Sequence, residues 1–462
     1  MQRNQNLDAL RGFAILAMVL SGSIAFGILP AWMYHAQEPP PTHAFIPTLP
    51  GISWVDLVFP FFLFSMGTAI PLALKNKEKE GAGFLTIFLI AGRRFLLLLF
   101  IALFTNHFKL SSLSKAPDWV DCILSMTAFI LLFFELYKPV GDTNGFTWKI
   151  LRYLAFGISA FLLAFLPFAE GKGFSFYHID IILLILANMS FFGTLLWWLT
   201  RKQVWVRVLI LLLLAALLVG ADEKESWNEW VVELTPVPWM YQFNYLKYLI
   251  IIVPGTMAGE WFLQYQQLVI KKADRCWIVF VSLLSLLLII INIALLFNRH
   301  TGYNLVVTLI LLTGIGLCLK KFAKQENQLT VHFFTAGSAL LLLGLFAESF
   351  QGGIKKDPAT FSYFLVSSGL AFFLLLVLKG IQLFRPGKAI VNYLSLNGKN
   401  PMVAYVAGGL LLLPMLRLTG GIKFLQQMHQ TPWPGFLAGL FFTGLVSLIT
   451  VYFTKRKWFW KT

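Results

Sequence analysis

Apolar residues fall along this chain in long runs of about 20, broken by short polar connections. A run of that length crosses about 30 Å of hydrocarbon as a helix. Read in order, the runs predict spans at 9–30, 53–74, 84–107, 119–137, 150–169, 179–200 and 206–220. The series continues at 246–265, 276–297, 303–319, 331–349, 361–379, 401–417 and 435–454. The expected fold class is therefore all-α: a polytopic membrane helix bundle of about fourteen spans. The 206–220 run is short and is read as either crossing or re-entrant. Arg93 and Arg94 interrupt 84–107, so its first part is expected to lie flat at the interface, with the crossing starting near Arg94. The first run carries Asp8 and Arg11 at its mouth and is read as a transmembrane helix, not a cleaved signal peptide.

Composition agrees with that reading. The 462 residues are 58% hydrophobic and 13% charged, with a mean hydropathy of +0.74. A soluble domain carries about 25% charged residues. The net charge of +16 would suit nucleic acid in a soluble protein, but no basic soluble domain is visible. Excess Lys and Arg in a membrane protein mark cytoplasmic loops. Cys122, Cys276 and Cys318 are scattered in apolar stretches without metal spacing, and are expected to be buried free thiols.

Orientation follows from the cations. With the N-terminus inside, the inner side receives Arg3, Arg11, Lys75, Lys77, Lys79, Arg93, Arg94, Lys138, Lys149 and Arg152. It also receives Arg201, Lys202, Arg207, Lys271, Lys272, Arg275, Lys320, Lys321 and Lys324. The last members are Lys379, Arg385, Lys388, Lys399, Lys455, Arg456, Lys457 and Lys461, which makes 27 of the 37 Lys and Arg. The bias predicts both termini inside and the Trp32–Ser53 connection outside. The tryptophan-rich stretch from Glu223 to Trp239 then also lies outside, its indoles anchoring at the interface. The longest polar connection, roughly 221–245, is too short for a soluble domain, so residues 1–462 read as one transmembrane domain. No repeat of fixed period is present, while inverted repeats stay open.

Ionisable residues at span mouths are costly and are functional candidates by default. His35 lies just past the first run and Asp56 about one turn into the second, joined by a proline-rich loop that also holds His43. Asn106, His107, Asp118, Asp121, His178, Asp180 and Glu348 are also placed near the outer face. Asp8, Arg11, Arg93, Arg94, Glu135, Glu260, Asn397, Lys399 and Asn400 are placed near the inner face. A histidine–carboxylate group at one face with cations at the other suits a reaction that crosses the membrane. Each also has a plain structural reading. His35 can pack on Trp32 and Tyr34, Asp56 can cap a helix starting near Ser53, and Arg93 with Arg94 can bind lipid phosphate. His178 with Asp180 can be a solvated loop pair.

Three segments in order, Asn6-Leu-Asp-Ala-Leu-Arg-Gly12, Asp56-Leu-Val-Phe-Pro-Phe-Phe-Leu-Phe-Ser-Met-Gly67 and Gly398-Lys-Asn-Pro-Met-Val-Ala-Tyr405, carry a resemblance. Arg93-Arg94, the 361–378 run and Lys457-Trp-Phe-Trp-Lys461 add to it. Together the chain resembles bacterial relatives of the heparan-α-glucosaminide N-acetyltransferase family. That resemblance implies a polytopic enzyme of the bacterial inner (cytoplasmic) membrane, surrounded by lipid. Its donor is cytoplasmic acetyl-CoA, and its acceptor is an amino sugar or glycan on the periplasmic side. Neither a metal nor a nucleic-acid partner is expected, and a homodimer is a candidate assembly. The family's active histidine precedes the Asp-Leu-Val-Phe-Pro segment in a His-Ala context, which both His35-Ala36 and His43-Ala44 meet; His35 is preferred. Arg93, Arg94, Lys399 and Asn400 become the expected donor contacts, and Asn106, His178 and Asp180 the expected acceptor contacts. The family's Asn in the first span is replaced by Gly22, and the loop after His35 is longer, with Pro39, Pro40 and Pro41. A neutral imidazole serves acyl transfer as a general base or as a nucleophile that carries the acetyl group, with Asp56 fixing its tautomer. An amino-sugar transporter is the competing class, and a glycan flippase or scaffold without chemistry is a third.

Overall fold

Polar caps and apolar runs decide where each helix of the chain starts and stops. The computed structural model describes residues 4–139, 145–168, 171, 173–221, 223–265, 275–322 and 327–460. Arg3, Lys271, Lys272, Lys324 and Lys461 of the inward count lie outside the described residues. The first helices are α1 (Gln5–Ser21), α2 (Trp54–Lys79), α3 (Phe84–His107), the single turn α4 (Leu110–Leu113), α5 (Trp119–Leu136) and α6 (Gly145–Phe165). Then come α7 (Ile181–Thr200), α8 (Val204–Gly220), the short α9 (Trp227–Val232), α10 (Leu249–Tyr265), α11 (Arg275–Phe297), α12 (Thr301–Phe322) and α13 (Gln328–Phe346). The chain closes with α14 (Phe361–Ile381), α15 (Arg385–Gly398), α16 (Pro401–Ala407), α17 (Leu413–Leu418), α18 (Gly421–Met428) and α19 (Pro432–Lys455). A π-helical stretch, Gly408–Leu412, joins α16 to α17. The fold is an all-helical, polytopic membrane bundle, and among the described residues no strand longer than an isolated bridge occurs.

Twelve stretches among the described residues are long and apolar enough to cross a membrane. The expected 9–30 and 206–220 spans instead fall on α1 and α8, of 17 residues each. α1 starts at the Asn4 cap, whose side chain accepts from the Asn6 and Leu7 amides, so Asp8 lies in its first turn and Arg11 about one turn further in. It stops at Ser21, before a Ser-Gly-Ser step and Gly27 at φ +85°, which a helix does not tolerate. α3 runs unbroken through Arg93 and Arg94, so no separate flat segment precedes them. Residues 385–398, expected as a connection, form the polar-faced helix α15. Cys122 is buried as expected, but Cys276 is exposed and Cys318 half-buried; all three are free.

The centre of the bundle is α14 and α2, whose apolar windows are 89% and 83% buried, against 11% for α6 at the periphery. Close crossings rest on glycine, because bundle helices gain from backbone approach rather than from hydrophobic drive. A Cβ on Gly67 of α2 would lie 2.3 Å from the Ile252 carbonyl oxygen of α10, and one on Gly259 would lie 2.3 Å from that of Thr68. α1 crosses α15 still more tightly: a Cβ on Gly398 would lie 1.7 Å from the Asp8 carbonyl oxygen, and one on Gly12 1.9 Å from that of Leu394. α8 is tied in by a buried cation. Arg207 reaches Thr200 Oγ1 at 3.0 Å, Thr256 Oγ1 at 2.9 Å and Glu260 at 2.8 Å. Trp227 and Trp230 of α9 are 71% and 69% exposed.

The crossing of α1 and α15 gives a direct test. Gly398→Ala forces overpacking, which costs about 1–3 kcal/mol or more, and should lower the thermal midpoint in detergent. Gly444→Ala, where a Cβ meets nothing within 4 Å, should leave it unchanged or raise it slightly. Equal midpoints for the two variants would contradict the close crossing.

Candidate functional site

The first turn of α2 builds the site. Ser53 is its N-cap, and Asp56, three residues on, closes a capping box. Asp56 Oδ2 accepts from the Ser53 amide at 2.8 Å and from the Ala36 amide at 3.2 Å. Its Oδ1 faces His35 Nδ1 at 2.7 Å. The capping role and the histidine-partner role expected as alternatives are thus filled by one carboxylate through different oxygens. Ser53 Oγ donates to the Tyr34 carbonyl at 2.6 Å, which holds the residue before His35 against the cap. Tyr363 of α14 donates to the Asp56 carbonyl at 2.7 Å, anchoring the turn to the most buried helix.

Asp56 is buried, with 2% of its side chain exposed, whereas His35 keeps 32%. An ionised carboxylate only accepts, so Nδ1 carries the proton and Nε2 the lone pair. The third member is Lys356, from the loop between α13 and α14. Its Nζ lies 3.1 Å from both ring nitrogens of His35 and can donate only to Nε2. Burial pushes the Lys356 pKa below its usual 10.5, while the carboxylates of Asp56, Glu38 and Asp357 oppose that shift. The Lys356 loop is itself locked down: Gln37 Oε1 accepts from the Asp357 amide at 2.9 Å, and the Ile354 carbonyl accepts from the Gly51 amide at 2.7 Å. Lys356 was not singled out in the sequence. Its signal was there, since Lys355 and Lys356 form a basic pair on a loop that the cation bias places outside.

His43 is not brought to Asp56. Its ring packs on Phe26 at 4.4 Å and Tyr34 at 4.6 Å, and neither buried ring nitrogen has a hydrogen-bond partner among the described residues. Asp180 caps α7 and accepts from Tyr405 at 2.9 Å and Lys109 at 3.1 Å, and Lys109 also reaches Asn106 at 3.0 Å. Asn106 and Asp180 are therefore joined through Lys109, a residue the sequence did not flag. His178 is not paired with Asp180; its Nε2 meets Ser112 Oγ at 3.0 Å. Lys109 and Tyr405 also line a cavity of about 480 Å³ that Gly22 shares.

The residues expected at the donor stand apart. Arg93 is exposed, and Arg94 is half-buried with an Nε that finds no hydrogen-bond partner among the described residues. Asn400 spends its amide on the C-terminal segment, donating to the Trp458 carbonyl at 2.8 Å and accepting from the Trp460 amide at 3.2 Å. Lys399 caps α15 beside it. The three segments carrying the resemblance do meet. Arg11 reaches the Ser65 carbonyl at 3.3 Å and the Gly398 carbonyl at 3.5 Å.

Fold and site together define a polytopic helical membrane protein with a half-exposed histidine–carboxylate pair at one end of the bundle. A model of the domain of unknown function DUF5009 matches residues 3–262, more than half of the chain, and the chain belongs to that family. No curated protein matches it.

Lys356 yields a pH prediction. Its folded-state pKa lies below the unfolded value, so the unfolded chain binds the extra proton. Its charge therefore opposes folding at neutral pH, and that opposition fades as pH rises toward 10.5. The stability of the wild type relative to Lys356→Met should rise over that interval, measured by chemical unfolding at several pH values. A difference that falls with pH would mean that the ion attraction outweighs the burial.

Proposed function

We propose that the protein is a membrane acetyltransferase. It passes an acetyl group from acetyl-CoA, entering at the cytoplasmic face, to the amine of an amino sugar or glycan on the opposite face. The observation that carries this reading is the 2.7 Å contact between His35 Nδ1 and the buried Asp56, on a ring that remains 32% exposed. Such a pair holds one tautomer and leaves Nε2 basic and reachable.

Two routes use the same atoms. As a base, Nε2 removes a proton from the amine while its nitrogen bonds to the thioester carbon. The carbon–sulfur bond breaks, and the CoA thiolate leaves and takes up the proton. As a nucleophile, Nε2 bonds to that carbon first, the thiolate departs, and the amine then displaces the imidazole and loses its proton. In both, Asp56 orients the ring and stabilises the imidazolium. Lys356 meets Nε2 in the resting geometry and must yield it to the donor.

Arg94 supports an anion from the inner side, because a buried guanidinium atom without a partner is costly in a membrane span. Arg93 and Lys399 would add charge to the same face, matching CoA phosphates. Asn400, bound to the C-terminal backbone, holds that end of the fold rather than the donor. The reading places both termini in the cytoplasm of a bacterial cell and the site in the periplasm, following the cation bias.

His35→Ala should cut acetyl transfer to an amino-sugar acceptor by about 10²–10⁴-fold, with the thermal midpoint kept. Asp56→Asn, removing an orienting group, should cost less and shift the pH profile, and its loss should not add to that of His35→Ala. Near-full transfer by folded His35→Ala would remove the histidine from the reaction.

A further inference from the structure

The loop that carries Lys356 has two faces. Lys356 touches His35, while its neighbour Lys355 lines a separate cavity of about 570 Å³. That size suits a ligand of one to three sugar rings and lies within the usual range for small-molecule sites. The cavity is walled by the connection between α8 and α10 on one side and the start of α14 on the other. Its polar groups come from distant segments: Glu233, Gln242, Asn244 and Lys247 from the first wall, Lys355 from the second, with Phe361 offering an apolar face. Amides and a carboxylate beside an aromatic ring suit sugar hydroxyls and the apolar face of a pyranose.

The charges are the informative part. Among the described residues, no hydrogen bond or ion pair engages the side chain of Glu233, Lys247 or Lys355, although Asp357 attracts Lys247 electrostatically. Two ammonium groups thus share one cavity with a single carboxylate. A neutral sugar leaves one ammonium group in excess over the lining carboxylate, and a simple amino sugar adds a third cation. A sugar that also bears an anion matches the set.

We infer that this cavity binds an amino sugar carrying an anionic substituent, a carboxylate or a phosphate, which Lys247 and Lys355 hold while Glu233, Gln242 and Asn244 take the hydroxyls. Calling that ligand the acceptor rests on the acetyl-transfer reading; the binding itself does not. The turn also couples the two places. The Lys355 amide donates to Thr360 Oγ1 at 3.1 Å, and the Thr360 amide returns a bond to the Lys355 carbonyl at 3.1 Å. A ligand gripped by Lys355 bears on the closed turn that sets Lys356 against His35.

The test is binding of three probes to the full chain in nanodiscs: glucosamine, muramic acid and glucosamine 6-phosphate. At least one anionic sugar should bind about tenfold or more tightly than glucosamine, since a charge-assisted contact is worth that much. The one preferred identifies the anion as carboxylate or phosphate. Lys247→Gln with Lys355→Gln should abolish the preference at an unchanged thermal midpoint, and His35→Ala should keep it. Equal binding of all three probes by the wild type, or a preference that survives the double substitution, overturns the assignment. A preference that depends on the two lysines in a protein without acetyl-transfer activity upholds the cavity and removes the acceptor role alone.

Discussion

One carboxylate governs the end of the bundle where α2 begins. A charge at the mouth of an apolar helix is tolerated only when its oxygens are satisfied. Asp56 meets that condition by giving Oδ2 to the backbone amides of Ser53 and Ala36 and Oδ1 to His35. The same contacts set where α2 begins, where the His35 loop lies and which nitrogen of the ring holds a proton. Replacing Asp56 therefore disturbs the helix cap and the His35 ring at once, and a stability readout has to accompany any activity measured on it.

The crossing of α1 and α15 depends on backbone proximity. Gly12 and Gly398 let α1 and α15 meet, and Arg11 then spans from α1 to the carbonyls of Ser65 and Gly398. The segments that contribute to the His35–Asp56 site and to the α15–α16 corner are thereby parts of one packed unit, α1 touching α2, α14, α15, α16 and α19.

The helices were legible because apolar runs of membrane length leave few alternatives. Their ends were less so. The apolar run overstates α1, because Ile24, Ala25 and Phe26 continue it after the helix has stopped at Ser21. The sequence hides α15, whose residues are too polar to register as a span; in the structure it packs along α1. In the site, His35 and Asp56 were readable as a pair 21 positions apart within one connection. Lys356 stands 321 positions from His35, and Tyr405 stands 225 from Asp180; no local spacing reveals such contacts. His43 shows the opposite case, sharing the His-Ala context of His35 but turned into an aromatic pocket by packing.

The central claim is that this end of the bundle performs acetyl transfer across the membrane. Proteoliposomes of uniform orientation, loaded inside with an amino-sugar acceptor and given acetyl-labelled CoA outside at the face bearing Lys77 and Lys79, test it most directly. The account predicts labelled N-acetylated sugar in the lumen, free CoA in the outer medium, and neither with His35→Ala. Unmodified sugar crossing the membrane without consumption of acetyl-CoA would contradict it and make the protein a transporter.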